Sequence, residues 1–363
     1  MTPFNRRKDG SSFRDWARAA VQSALDDAGL EAGDIDALIV ASESDFFTMQ
    51  LNPAALLADV CGLVGVAAKR VEGGGASGHL AVHAGVAEVA CGLVRRALVL
   101  GVEPSASHLK GADVGALYGL SFDAWTDGMT GIDATSLYAL SAQGFMARTG
   151  ATVEDFAAIA VRNRSYARAN PNAHLPLDIT LADVAASPVV ASPYRRLDCS
   201  PLSDGAAAII LARTQDLPNV TRDRAKFRAA ANAIDTVRLG ERADPSFFAG
   251  KRRAAEKAYV MAGITADEID LVEVYDSYSG AQLQALEALG FAGHAELSVN
   301  LSGGLLGQGA PVGATGVAQV LAASLQLEGR YFGKQALHDP RFALVDTHGG
   351  IATLNAISIL EAP

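Results

Sequence analysis

Cysteine is scarce in this chain: Cys61, Cys91 and Cys199 are the only three in 363 residues. They stand far apart, with no CxxC pair and no metal-ligand spacing to any of the seven histidines, so neither a disulfide framework nor a structural zinc site is expected. None of the three falls in a catalytic motif, and each is expected in the core. Aromatic residues are few, at 6%. Apolar runs are short of the roughly 18 uncharged residues of a membrane helix, and the opening MTPFNRRKDGSS has no apolar centre for a secretory signal. Positive charge is the minority sign, with 30 Lys and Arg against 40 Asp and Glu and a formal net charge of −10. A broad nucleic-acid surface is therefore not expected. The expectation is a cytoplasmic protein with no membrane and no nucleic-acid partner. Two local basic groups remain, KRR at 251–253 and Arg162, Arg164 and Arg168, readable as solvated helix faces or as a patch for a phosphorylated ligand.

What is present is ample apolar content, 50% against 19% charged, in a length that suits two domains. It is also repeated. SALDDAGLEAGDIDALIVAS from Ser23 returns as KAYVMAGITADEIDLVEVYD from Lys257, so that Ile269 lies 234 residues after Ile35. GASG at Gly75 returns as GATG at Gly313, 238 residues later. A period this long is not that of a solenoid, whose units run roughly 20–50 residues. It is a duplicated half-molecule. Each copy reads as an amphipathic helix, an Ala-Gly turn, an Ile-Asp step into an apolar strand, and a glycine turn opening another helix, which predicts stacked α/β layers.

The first copy predicts helices over 12–29, 52–62 and 79–92, strands over 36–41 and 97–102, and a glycine turn at 73–78. The second repeats this order from Lys226 and ends in strands over 342–346 and 355–360. The domains expected are 1–215 and 216–363. Between Pro104 and Ser203 lies an insertion without counterpart, carrying loop chemistry in GMTG at 128–131, NPNAH at 170–174 and the prolines of SPVVASPYRR, and it is expected to cover the site as a lid. Copy two has KFRAAANAID before its helix, whereas the chain opens at MTPF. The repeat therefore predicts a strand that is missing or lies upstream of the given start.

The turn VEGGGASG satisfies GxGxxG through Gly73, Gly75 and Gly78, with Glu103 following, but that pattern alone is weak and its duplicate has a different glycine context. Ser77 in GASGH does not form the GxSxG of a serine hydrolase.

In order along the chain stand VEGGGASGHLAVHAG, VEP at 102–104, NPNAH, LDCSPLSDGAAAIIL, VEVYDSYS, NLSGG and GAPVGATG. This ordered set resembles the thiolase superfamily, in the branch of the sterol-carrier-protein-type thiolases, over nearly the whole chain. The resemblance implies an α/β thiolase-like fold of two βαβαβαββ halves in an α/β/α/β/α sandwich with an inserted lid. It also implies chemistry on acyl-CoA, with coenzyme A as part of the substrate and no permanently bound cofactor or metal. A homodimer and a small zinc-ribbon/OB-fold partner subunit are implied too.

The family's catalytic loops are altered. The nucleophilic Cys position is Gly75, the polar head of the third motif is Tyr275 in YDSY, the GHP histidine is Ala310, and the C-terminal acid/base Cys is Asp346 in DTHGG. Glycine carries no acyl group, so ordinary thiolysis is not expected. Backbone N–H groups at Gly75 and His348 correspond to the family's oxyanion hole. Tyr275, Tyr278, Asp346 and His348 form the candidate acid/base set. Packing beneath the loop remains open for Tyr278, as does capping of the HGG turn for Asp346. Gly75, Ser77, Ser302, Gly303, Gly304, Ala310, Pro311 and Gly313 are the candidate substrate-binding positions. The bacterial steroid side-chain-cleaving aldolases share the GGGA turn without Cys and the Tyr-Asp pair. Retro-aldol cleavage of a β-hydroxyacyl-CoA, with Tyr275 taking the hydroxyl proton, is the first reading. A non-catalytic acyl-CoA-binding subunit and an atypical acetyl-CoA acetyltransferase are the alternatives.

Overall fold

The computed structural model describes residues 1–6, 9–109, 111–217, 223–294 and 296–363. Eleven strands appear among them: β1 (Ala37–Ala41), β2 (Ala67–Val71), β3 (Arg96–Pro104), β4 (Val189–Ala191), β5 (Tyr194–Arg195), β6 (Asp204–Ala212), β7 (Lys226–Ile234), β8 (Leu271–Glu273), β9 (Ser298–Val299), β10 (Phe342–Gly349) and β11 (Leu354–Glu361). The first sheet runs β2-β1-β3-β6 and the second β7-β11-β10-β8-β9. In each, one strand lies parallel between two others, β1 between β2 and β3, β8 between β9 and β10, and the next strand turns back antiparallel. The two halves are one topology used twice.

The repeated residues are the ones that make this unit. Gly29 and Gly263 end the helices Phe13–Ala28 and Ala249–Ala262 in the left-handed conformation, at φ 63° and 71°, which glycine adopts without Cβ strain. The Ile-Asp step that follows is equally specific. Asp36 accepts from the backbone N–H groups of Arg95 and Arg96 at 2.9 and 3.0 Å, and Asp270 from those of Arg341 and Phe342 at 2.7 and 3.0 Å, so each carboxylate fixes the start of the neighbouring strand. ALIVA of β1 is buried at every position, as a parallel strand covered on both faces should be.

Helices Phe13–Ala28 and Pro53–Val60 cover the outer face of the first sheet, and helices Ala249–Ala262 and Ser279–Leu289 that of the second. Between the sheets run helices Ser77–Ala90 and Val312–Leu327, whose Val82, Val317 and Val320 join β1, β3 and β10 in the central core. The result is five layers, α/β/α/β/α. At the chain start, Thr2 N–H donates to Ala206 O at 2.9 Å and Asp204 N–H to Asn5 O at 2.7 Å. Residues 2–5 thus lie along β6 where β7 lies along β11, as a short bridge where the repeat predicts a full strand.

The insertion is more helical than its turn residues suggest. Helices Gly111–Tyr118, Ala134–Thr149, Val153–Ala167 and Leu181–Ala186 and the β4–β5 hairpin occupy it. Three of these helices are started by caps that the sequence reading did not single out: Asp133, Thr152 and Thr180 each accept a first-turn N–H. Phe122, Tyr138 and Phe145 of this segment pack with Phe248, Ala281 and Ile351 of the second half. No described helix is long and apolar enough to cross a membrane.

Candidate active site

The site lies at the carboxyl ends of β1, β8 and β10, the usual ligand position in α/β layers. A cavity of about 290 Å³ opens there, closed on one side by Tyr118, Phe122, Tyr138, Arg196 and Cys199 of the insertion. Its floor is the glycine turn. Ser77 closes that turn, its hydroxyl donating to Gly74 O at 2.6 Å and accepting from Gly73 N–H at 3.0 Å, and helix Ser77–Ala90 starts at once. A Cβ on Gly75 would meet the Tyr275 hydroxyl at 2.7 Å and collide with the His348 carbonyl oxygen. The space beside Gly75 is taken by Tyr275.

Three of the four acid/base candidates line the cavity: Tyr275, Tyr278 and His348. Tyr275 is 5% exposed. Burial, then the charge of Glu43, pushes its phenol well above the usual tyrosine range, so it rests protonated. Tyr278 stacks on Tyr194 with centroids 5.1 Å apart and shares a 2.9 Å hydrogen bond with Thr135, so it packs and faces the cavity at once. His348 is fully engaged. Lys251 Nζ donates to its Nδ1 at 3.1 Å, which leaves the proton on Nε2 to donate to Tyr138 Oη at 2.6 Å, and the Tyr138 hydroxyl donates in turn to Gly350 O at 2.7 Å. Burial and the Lys251 charge hold the imidazole well below its ordinary pKa. A neutral ring with both nitrogens occupied orients its neighbours and does not take up a proton.

Asp346 lies away from the cavity. It is buried in an ion pair with Lys251, and it also accepts from Tyr275 N–H at 3.4 Å, so it neither faces substrate nor caps the HGG turn. Lys251 corrects a second expectation. It is wholly buried, not a solvated face or phosphate patch, because Asp346 and His348 surround its ammonium. Arg164 is buried likewise, donating to Leu197 O at 2.6 Å, while Arg168 is exposed beside Asp178.

Of the candidate binding positions, Gly75 and Ala310 line the cavity. The rest build the frame. Gly313 sits against Ala41 O and Glu103, and its N–H donates to Glu103 at 3.2 Å. Pro311 opens helix Val312–Leu327. Ser302 donates to Glu273 at 2.5 Å, Gly303 abuts Ala167, and Gly304 leaves room for the Asp276 carboxylate, which accepts from Leu305 N–H at 2.6 Å and Asn163 Nδ2 at 2.7 Å. Gly78 and Gly316 of GASG and GATG let the two central helices touch backbone to backbone, for a Cβ on Gly316 would stand 2.5 Å from His79 N. These glycines serve helix contact, not a dinucleotide phosphate. For the oxyanion hole, His348 presents its carbonyl oxygen to Gly75, an acceptor where a donor was expected.

Three groups here were missed or misplaced from sequence: Glu43 was not singled out, Lys251 was expected on a solvated face or patch, and Cys199 was expected in the core. Glu43 lines the cavity, and its Oε2 has no hydrogen-bond partner. Lys251 orients His348. Cys199 also lines the cavity, although burial pushes its thiol up to about 12, and Cys91 is exposed and not in the core. The repeat held the signal for Glu43, which stands two residues after Ala41, the position matching Tyr275.

Two duplicated mixed sheets around paired central helices, with a cavity at the strand ends, define a thiolase-like α/β protein. Residues 1–215 match the family model "Thiolase, N-terminal domain" and residues 231–362 the model "Thiolase C-terminal domain-like", and the chain belongs to the thiolase family. It is 35% identical to an acetyl-CoA acetyltransferase of Methanothermobacter thermautotrophicus, over 96% of this chain and 94% of that protein. It is 27% identical to the 17-hydroxy-3-oxo-4-pregnene-20-carboxyl-CoA lyase of Mycobacterium tuberculosis, over 88% of each. A solved structure described as an Ltp2-ChsH2(DUF35) aldolase superposes with a TM-score of 0.83 at 27% identity, covering 99% of this chain and 95% of that one.

Proposed function

We propose that this chain is a carbon–carbon lyase that cleaves a β-hydroxyacyl-CoA by a retro-aldol step without an acyl-enzyme. The observation that carries the reading is the Tyr275 hydroxyl in the space beside Gly75 that a nucleophilic side chain would need. An acyl-Cys route finds no support at this turn: glycine has no nucleophile, and the thiol at the cavity, Cys199, is held protonated. The lyase among the relatives and the superposed aldolase favour cleavage. The acetyltransferase relative favours acyl transfer and defines the competing assay.

In this reading the Tyr275 oxygen takes the proton of the substrate's β-hydroxyl as the phenol gives its own proton to a carboxylate of the cavity wall, and the bond between the α and β carbons breaks, leaving a thioester enolate and a carbonyl on the β carbon. The N-terminal peptides of helix Ser77–Ala90, which begins at the Gly75 turn, favour the negative oxygen. His348, neutral and fixed by Lys251 and Tyr138, keeps the Tyr275 ring in place, their centroids 4.9 Å apart. Coenzyme A belongs to the substrate. A homodimer and a small zinc-ribbon/OB-fold partner complete the proposal, the latter supported by the DUF35 component named with the superposed aldolase. A soluble monomer indifferent to such a subunit would remove that part.

The test is turnover of β-hydroxy- and β-ketoacyl-CoAs by wild type and Tyr275→Phe. Cleavage that falls by roughly 10²–10⁴-fold in the variant, as for loss of a general acid/base, supports the lyase. No turnover with micromolar acyl-CoA binding would make this a binding subunit, and ordinary acetoacetyl-CoA thiolysis would overturn the reading.

A further inference from the structure

One carboxyl group at the cavity has no structural task. Glu103, beside it, is fully used: Ser42 Oγ donates to it at 3.0 Å and Gly313 N–H at 3.2 Å, and it also accepts from Glu43 N–H. The Glu43 side chain is left over. Its Oε2 is buried with no partner, its Oε1 is 4.0 Å from where a Cβ on Gly74 would stand, and it shares the cavity wall with Gly75 and Tyr275. Arg70, the nearby cation, is committed to Asp45 and to Ser42 O. A carboxyl oxygen buried without a partner is unfavourable for folding, and such groups concentrate where protons are moved.

We propose that Glu43 is a catalytic residue, the acid/base that receives the proton released in cleavage and delivers it to the α carbon of the acyl-CoA product. The delivery step stands by itself, while its coupling to cleavage rests on the retro-aldol reading. The proton balance closes within the site. As the β-hydroxyl proton moves to the Tyr275 oxygen, the phenol's own proton passes to the Glu43 carboxylate. The β carbon becomes a carbonyl and the electron pair of the broken carbon–carbon bond enters the enolate. The Glu43 carboxylic acid then protonates the α carbon, and the carboxylate is restored. Burial first, then the neighbouring Glu103 and Glu72 carboxylates, raises the Glu43 carboxyl well above its ordinary range, with Tyr118 and Tyr275 as its other titratable neighbours.

The delivery step runs backwards on product alone, so the probe is exchange of the α hydrogens of propionyl-CoA in heavy water, followed by mass spectrometry. Wild type is expected to exchange. Glu43→Gln, an isostere checked for folding by its melting curve, is expected to lose exchange by 10²-fold or more, and Glu43→Asp to retain part of it. The wild-type rate rises with pH through an ionisation above the ordinary carboxylate range that Glu43→Gln lacks. Exchange in Glu43→Gln within threefold of wild type overturns the assignment, as does its absence from wild type. If wild type cleaves β-hydroxyacyl-CoA while Glu43→Gln exchanges normally, the lyase stands and Glu43 falls. If exchange depends on Glu43 but nothing is cleaved, the reverse holds.

Discussion

Gly75 and Gly313 are equivalent positions of the duplicated unit, each at the start of its own central helix, Ser77–Ala90 and Val312–Leu327, and their surroundings have diverged. Gly313 is pressed against Ala41, Ser42 and Glu103, framework atoms away from the cavity. Gly75 is pressed against Tyr275 and His348 and forms the cavity floor. Duplication accounts for the closeness of the backbones at both places, because each turn abuts the end of a strand, β10 at Gly75 and β1 at Gly313. What faces each glycine was free to change, and the second half supplied side chains to the first half's turn. Of the polar groups around Gly75, Tyr275, His348, Lys251 and Asp346 come from the C-terminal half, while the N-terminal half contributes backbone, a helix start, Glu43 and, from its insertion, Tyr118 and Tyr138.

Loss of the side chains on the Gly75 side should have the largest effects. Tyr275→Phe removes the hydroxyl itself, with the 10²–10⁴-fold loss of cleavage given above. Next is Lys251→Met, which leaves Asp346 as an unpaired buried charge. About 3–5 kcal/mol of stability should disappear at neutral pH, measured by urea titration, whereas Lys251→Met combined with Asp346→Leu should regain most of it. Since protonation relieves the lone Asp346, the single variant should suffer less in acid. A single variant as stable as wild type would mean that the pair does not hold the His348 side together.

Gly75→Cys probes the contrast directly, by returning a thiol to the turn. Its Cβ would meet the His348 carbonyl and the Tyr275 hydroxyl, and a carbonyl in a strand does not swing aside. A loss at the upper end of roughly 1–3 kcal/mol is expected from overpacking, with no acetoacetyl-CoA thiolysis gained. A stable variant that turns over acetoacetyl-CoA would show that Gly75 is a vacant nucleophile position and not a filled one.

Much of this frame was legible because duplication wrote it twice. Gly29 with Gly263 and Asp36 with Asp270 recur since each pair performs one backbone task, a left-handed cap and a strand start. The site was legible where a residue type contradicts its motif, as at Gly75 and Tyr275. It was illegible where the deciding neighbour is distant in sequence. Nothing in KRR signals that Lys251 lies under Asp346, 95 positions away. Nothing in helix Ala134–Thr149 signals that Tyr138 fixes His348. Gly313 was read as a ligand contact for the same reason, its partners in β1 and β3 being invisible to local pattern.

The smallest expected effect tests the Gly313 side through pH. Burial raises Glu103 to about 8 and Glu273 and Asp276 to about 7, so the folded chain keeps protons that the unfolded chain has released above about 4.5. Stability from these groups is therefore lost as pH rises from there toward 8. The buried histidines act in the opposite sense. With His83 lowered to about 4, the unfolded chain takes up protons below about 6.5 that the folded chain refuses, and stability is lost as pH falls. Below about 6.5 the two slopes oppose each other, and above it the carboxyls act alone. Between pH 6.5 and 8, urea titrations should therefore lose roughly 1–2 kcal/mol from Glu103, whose folded value is the highest of the three, and about as much again from Glu273 and Asp276 together. Glu103→Gln keeps the hydrogen bond from Gly313 through its carbonyl oxygen and has no proton to lose, so it should flatten this decline. An undiminished slope in that variant would mean that Glu103 is ionised beside Gly313 and that the framework side carries a charge of its own.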